Sequence, residues 1–309
     1  MNFLVVGPGA MGCLFAARLK RAGHTVTLLD YRQERAQFIN ENGIRVEGVT
    51  GNYRIHVPTS TKRSSTTPDA VLICVKANQT REAAQGFKPW LGKKARVLTL
   101  QNGLGNLEVL EEVFGRDRVL GGVTAEGATL LGHGHVRHAG QGQTIIGPEK
   151  ESEGVVGEIV AAFNESGFET RAVSDVTEPV WGKLVINVGI NALTAITRLK
   201  NGRLPEVDGT RVVMEEAVKE ATAVAQAKGI RLPYSDPLER VLTVCRATAG
   251  NISSMLQDML NQRITEVMFI NGAIVKEANA LGIPTPVNFA LTSLVRAIQD
   301  TYHERVIAK

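Results

Sequence analysis

Cysteine is scarce in this chain. Its three residues, Cys13, Cys74 and Cys245, are odd in number, widely spaced and set among apolar neighbours. That pattern argues against a disulfide framework or a cysteine metal site and predicts buried free thiols in a reducing compartment. Long uncharged apolar runs are also missing. No such stretch approaches the ~20 residues that span a bilayer, and the N-terminus has neither the basic flank nor the extended apolar core of a signal peptide. The expectation is a cytoplasmic protein with no membrane partner. Excess charge of one sign is lacking as well: 35 basic residues against 31 acidic leave a net +4. With no Lys/Arg block to track a phosphate backbone, nucleic acid is not an expected partner, and small anionic molecules suit the balance better. Internal repeats and low-complexity tracts are absent too, so the 309 residues are expected to form roughly two ordinary globular domains.

What is present is concentrated at the start. In "LVVGPGAMGCLFAARL" a branched apolar run meets Gly7-Pro8-Gly9-Ala10-Met11-Gly12 and then becomes helical in pattern. This is GxGxxG between a strand and a helix. In a dinucleotide fold Gly7 permits the tight turn, Gly9 lets a pyrophosphate approach the backbone, and Gly12 allows close helix–strand packing. The helix N-terminus then supplies free N–H groups and a favourable dipole for the phosphates. A second strand follows at 25–29 and closes on Asp30, 18 residues after Gly12, where such folds meet the ribose.

From residue 1 to about 173, short apolar runs alternate with helical patterns and glycine turns, as in a parallel sheet covered by helices. Strands are expected at 71–75, 97–100 and 119–123. The segment "HVRHAGQGQTIIG" at 135–147 reads as two short strands about a glycine turn, an antiparallel addition to the sheet. Beyond 176 the strand patterns stop, and 180–197, 207–228, 237–247 and 265–281 read as helices. The fold class is therefore α/β, with a Rossmann-type dinucleotide-binding domain at 1–173 and an all-helical domain at 174–309.

In "EPVWGKLVINVGINALTAI" Lys183, Asn187 and Asn191 recur every four residues, forming one polar stripe about 12 Å long on an apolar helix. Buried polar side chains need partners, so the stripe meets either a ligand or another helix. Ser253 and Ser254 open a helix before residues 255–260. Thr265 caps the next one, with Glu266 in its first turn. Lys76 and Asn102-Gly103 follow predicted strands, at the edge where open α/β sheets bind ligands, although a solvated lysine and an ordinary Asn-Gly turn fit equally. His133, His135 and His138 lack nearby Cys or carboxylate ligands. In extended chain His135 and His138 face opposite ways, so no metal is expected there.

Taken in order and spacing, these segments resemble the ketopantoate reductase family across nearly the whole chain. The likeness is carried by GPGAMG, "CVKANQT" at 74–80, "QNGLGN" at 101–106, "VRHAGQG" at 136–142, "WGKLVINVGINALTA", "NISSMLQD", "TEVMFING" and "GIPTPVN". The resemblance implies that Lys183 is the catalytic lysine and Glu266 its acidic partner. It implies substrate contacts from Asn187, Asn191 and Ser254, with Lys76 and Asn102 where nicotinamide and substrate meet. Glu266 would either hold a substrate hydroxyl or tune Lys183. The implied reaction is reduction of 2-dehydropantoate, a small 2-keto acid, to (R)-pantoate, on the route to pantothenate and coenzyme A. NADPH is the cofactor implied, but Asp30 departs from the basic residue common at that strand end. An acid there usually favours NADH, while Arg32 is placed to meet a 2′-phosphate. Two other readings are carried forward: a reductase of another branched 2-keto acid, and a non-catalytic dinucleotide sensor. A homodimer is compatible with the apolar helices.

Overall fold

The computed structural model describes residues 1–62, 67–148 and 156–304. The last five residues of the expected helical domain thus lie outside it. The chain divides into two compact units: Met1–Gln101 with Asn106–Val176, and Asn102–Gly105 with Thr177–Lys309. The division at 176/177 lies close to the expected 173/174 boundary, but the four residues of Asn102–Gly105 belong with the second unit.

In the first unit the strands are β1 (Asn2–Val6), β2 (Thr25–Leu29), β3 (Ile44–Gly48), β4 (Tyr53–Ile55), β5 (Thr59–Ser60), β6 (Ala70–Ile73), β7 (Arg96–Thr99), β8 (Val119–Thr124), β9 (Gly127–Gly132), β10 (His135–Gly140), β11 (Thr144–Gly147) and β12 (Thr170–Ala172). The helices are α1 (Ala10–Arg21), α2 (Gln33–Asn42), α3 (Thr80–Phe87), α4 (Asn106–Phe114) and α5 (Val156–Glu165). The main sheet has the order β12-β11-β8-β7-β6-β1-β2-β5, parallel from β8 to β5. Strand order reverses between β1 and β6, which opens the crevice where such sheets take nucleotides. Successive residues of β1 serve opposite faces: Phe3 and Val5 join the core under α1 and α5, while Leu4 and Val6 join that under α3 and α4.

A second sheet, β4-β3-β10-β9, also packs on α1. With sheet on two sides, α1 buries every residue from Gly12 to Leu19, including Arg18. The two strands expected about the glycine turn at 135–147 are present and each has an antiparallel neighbour, but they join different sheets. Here β10 pairs with β9 and β3 in the small sheet, whereas β11 runs antiparallel to β8 in the large one. The cause is burial: Val136 and His138 are sealed on one face of β10, and His138 Nε2 meets Glu126 Oε2 at 2.5 Å. On the opposite face His135 and Arg137 share Glu47. Among the described residues no cluster of three or more His, Cys, Asp or Glu side chains is arranged to hold a metal.

The second unit contains α6 (Thr177–Thr197), α7 (Asp208–Ala227), α8 (Pro237–Ala247), α9 (Ser254–Leu260), α10 (Asn271–Leu281) and α11 (Pro286–Asp300). Central to it is α6, which packs against α7, α8, α9 and α11. Among the described residues it alone is long and apolar enough to cross a membrane, yet 67% of its most apolar stretch is buried inside the protein. The expected continuous helix at 265–281 is broken. A 3₁₀ turn at Val267–Phe269 ends at Ile270, whose φ/ψ of −110°/−93° is not helical, and α10 starts only at Asn271. Thr265 accordingly caps no α-helix: its N and Oγ1 both donate to Gln299 Oε1 of α11. Buried Asn288 donates to Glu220 Oε2 and Ala217 O, which ties α11 to α7.

All three cysteines are free thiols. Cys13 and Cys245 are buried as expected, but Cys74 is only half-buried because it lies beyond the end of β6. Burial pushes the Cys13 and Cys245 thiols up, to about 12 and about 11, so neither is a ready thiolate.

Candidate active site

The glycine turn acts through the side chains it lacks. Gly7 has φ +103°, and a Cβ on it would lie 2.9 Å from the Val75 nitrogen beyond β6. A Cβ on Gly12 would lie 1.9 Å from the Gly7 carbonyl oxygen. Both positions are closed by the protein itself. Gly9 differs, since the nearest atom to a Cβ there is the Cys74 oxygen at 3.8 Å. It is the N-cap of α1, makes no side-chain cap bond, and is followed by a first turn free of acids. Pro8, whose carbonyl accepts from the Cys13 thiol, and Ala10 and Met11 complete the turn. Uncapped backbone N–H groups beside a glycine that no neighbour crowds fit a pyrophosphate.

At the end of β2, Asp30 is buried, while Tyr31 and Arg32 are exposed. Asp30 is paired with Arg35 of α2, a residue the motif reading overlooked although it lies only five positions on. Lys76 is half-buried and caps the 3₁₀ turn Ala77–Gln79 beyond β6. A second overlooked residue, Gln101, ties these strand ends together. Its Nε2 donates to the Val75 carbonyl at 2.8 Å and to Thr80 Oγ1 at 2.9 Å, while its Oε1 accepts from Thr99 Oγ1. Thr80 in turn donates to Asn106 at the start of α4.

The second unit gathers the side chains. Along α6, Lys183 and Asn187 are half-buried and Asn191 is buried at 5% exposure. Burial lowers Lys183 from the usual lysine value to about 8, against the charge of Glu266, which raises it. Glu266, itself buried, accepts a hydrogen bond from Asn102 Nδ2 at 3.4 Å. Asn102 is delivered by a loop seated on the 3₁₀ turn. Leu104 N donates to the Phe269 carbonyl at 2.9 Å, and a Cβ on Gly103, at φ +85°, would sit 2.1 Å from that oxygen. Lys183, Glu266 and Asn102 therefore form one cluster, with Asn187 and Asn191 one and two turns farther along α6.

The two serines part company. Ser253 is buried, accepts from Leu256 N as the α9 cap, and meets Thr194 Oγ1 of α6 at 2.6 Å. Ser254, next in the chain, stays exposed. The cap thus fixes the start of α9 on α6 and leaves its neighbour open to a ligand.

A doubly wound sheet with a glycine turn, joined to a helical unit that sets a half-buried lysine beside a glutamate and asparagines, defines a nicotinamide-dependent oxidoreductase. The model of the ketopantoate reductase PanE/ApbA family matches residues 3–151, and that of the family's C-terminal region matches residues 175–299. The chain belongs to this family. A 2-dehydropantoate 2-reductase from Halobacterium salinarum is 40% identical over 97% of this chain and 99% of its own length. A PanE/ApbA family ketopantoate reductase structure from Ralstonia eutropha JMP134 superposes with a TM-score of 0.90 at 36% identity, covering 98% of this chain and all of the other. A ternary structure of D-mandelate dehydrogenase with NADH and anilino(oxo)acetate gives a TM-score of 0.91 at 26% identity, with the same coverage.

Proposed function

We propose that this chain reduces 2-dehydropantoate to (R)-pantoate with NADPH, in pantothenate and coenzyme A biosynthesis in the cytoplasm, using residues 1–173 for the dinucleotide and 174–309 for substrate and catalysis. The observation that carries the reading is the half-buried Lys183, its ammonium lowered by burial, beside Glu266 and Asn102. A nicotinamide held with its pyrophosphate on the turn from Gly7 to Gly12 would supply hydride to the keto carbon. Negative charge then grows on the carbonyl oxygen, where the Lys183 ammonium stabilises it and donates the proton. A lysine near 8 is still largely protonated at neutral pH, yet gives up its proton more readily than an exposed one. Asn187 and Asn191 orient the substrate's oxygens, and Ser254 binds its carboxylate end. Lys76 and Asn102 serve where nicotinamide and substrate meet, and the turn from Gly7 to Gly12 holds the pyrophosphate.

The likeness to D-mandelate dehydrogenase favours one other reading, a reductase of a different 2-keto acid. The test is loss of nicotinamide absorbance on adding 2-dehydropantoate to purified protein, with 2-ketoisovalerate and the keto acid of mandelate as competitors. Preferred turnover of 2-dehydropantoate is expected. Preferred turnover of a competitor would replace the substrate assignment, and no turnover by folded, cofactor-bound protein would favour a dinucleotide sensor.

A further inference from the structure

An acid at the end of the second strand ordinarily accepts a hydrogen bond from the ribose 2′-hydroxyl and repels a 2′-phosphate. Asp30 is built differently. Its side chain is 0% exposed, and its oxygens are already engaged: Arg35 Nη2 donates to Oδ1 at 2.6 Å, Arg35 Nε to Oδ2 at 2.5 Å, and the Arg32 backbone nitrogen to Oδ1 at 3.1 Å. A ribose hydroxyl reaching this carboxylate would have to displace a bidentate guanidinium, among the strongest side-chain pairs.

Arg35 retains capacity. Among the described residues its Nη1 donates to nothing, and its side chain is 16% exposed. Burial works against its charge, but the hydrogen bonds and charge of Asp30 outweigh that and hold it above the ordinary arginine value. Cys13, in the first turn of α1, feels the charges of both Arg35 and Asp30. Tyr31, 65% exposed, carries the Arg32 guanidinium 5.2 Å from its ring centre and that of Arg35 at 5.7 Å. Arg32 Nε also donates to the Tyr31 hydroxyl at 2.9 Å. Two guanidiniums thus gather on the Tyr31 ring beside the Asp30 carboxylate, with Glu34 also in the first turn of α2.

We propose that Arg35 reads the ribose 2′ position and selects an adenosine 2′-phosphate, and that Asp30 is the positioning residue holding Arg35 in place. The inference rests on the nicotinamide-dependent reading above and assigns its cofactor selectivity to a pair of residues. It also reverses the usual consequence of removing the acid: loss of Asp30 removes an anchor and weakens selection for the phosphate.

Isothermal titration of the full chain with 2′,5′-ADP and with 5′-AMP measures this without turnover. Wild type should bind 2′,5′-ADP at least about tenfold more tightly, the scale of one charge-assisted contact. Arg35→Ala should erase most of that ratio, and the isosteric Asp30→Asn should lower it several-fold. Arg35→Lys, which keeps the charge but loses the fork, should fall between wild type and Arg35→Ala. Asp30→Asn and Arg35→Lys keep the test open should an alanine variant fail to fold. A ratio that rises in Asp30→Asn would overturn the proposal, as would one unmoved by both Arg35 variants, although the NADPH reading would survive. A wild type that prefers 5′-AMP would sink both. A strong 2′,5′-ADP preference without turnover of 2-dehydropantoate would remove the substrate assignment alone.

Discussion

The glycine turn of the first unit and the polar cluster of the second solve opposite problems. At Gly7 and Gly12 everything needed lies within six consecutive residues and the end of one neighbouring strand, and the requirement is that side chains be absent. At Lys183 the requirement is that side chains converge. Its neighbour Glu266 and the asparagine that binds that glutamate come from elements far apart in the chain, Asn102 and Glu266 being 164 residues apart. A backbone site is intolerant of substitution and written in one place. A side-chain site depends on helices that must first be brought together, so its parts fail separately.

The sharpest way to separate the two is Lys183→Ala, expected to lower kcat by about a thousandfold while leaving cofactor affinity near wild type. Steady-state kinetics beside fluorescence titration of the nicotinamide would check it, and equal losses in both would make the lysine structural. Next come the glycines. Gly12→Ala should lower Tm by several degrees and cofactor affinity by about tenfold, because its Cβ meets backbone. Gly9→Ala should cost cofactor affinity alone, with melting nearly unchanged, because among the described residues its Cβ makes only an ordinary contact, with the Cys74 oxygen at 3.8 Å.

A subtler distinction is pH. Reduction needs the ammonium, so its rate should fall as pH rises through about 8, while the reverse oxidation should gain. Glu266 raises Lys183, so Glu266→Gln should move that limb to lower pH, and an unmoved limb would leave Glu266 with the substrate hydroxyl only. Smallest is Ser253→Ala, which removes a cap and the Thr194 contact for about 1 kcal/mol of stability by denaturant melts.

Much of this contrast is visible in the sequence for physical reasons. The turn from Gly7 to Gly12 shows because few residues other than glycine fit it, and the Lys183–Asn187–Asn191 stripe shows because polar residues stand out on an apolar helix. Segment 135–147 misled because alternation marks extended chain but not its partner, and β10 and β11 lie in different sheets. The break at Ile270 is hidden because residues 265–281 are all compatible with helix, and only the packing of Asn102–Gly105 on Phe269 reveals the tighter turn. At Asp30 the motif position shows the acid but not its partner. The Arg35 that neutralises it was in plain view at the start of α2, yet a bidentate pair cannot be read from spacing alone.

The loop Asn102–Gly105 bears on how this protein can be divided or recombined. A fragment beginning at Thr177 would inherit Lys183 and Glu266 but leave behind the Asn102 amide that Glu266 accepts from and the Leu104 N–H that covers the Phe269 carbonyl. A single splice near residue 176 therefore does not transplant the helical unit intact. Any chimera that swaps it must carry two exchanges, the second only four residues long, and a family that shuffles its halves would have to inherit the two pieces together.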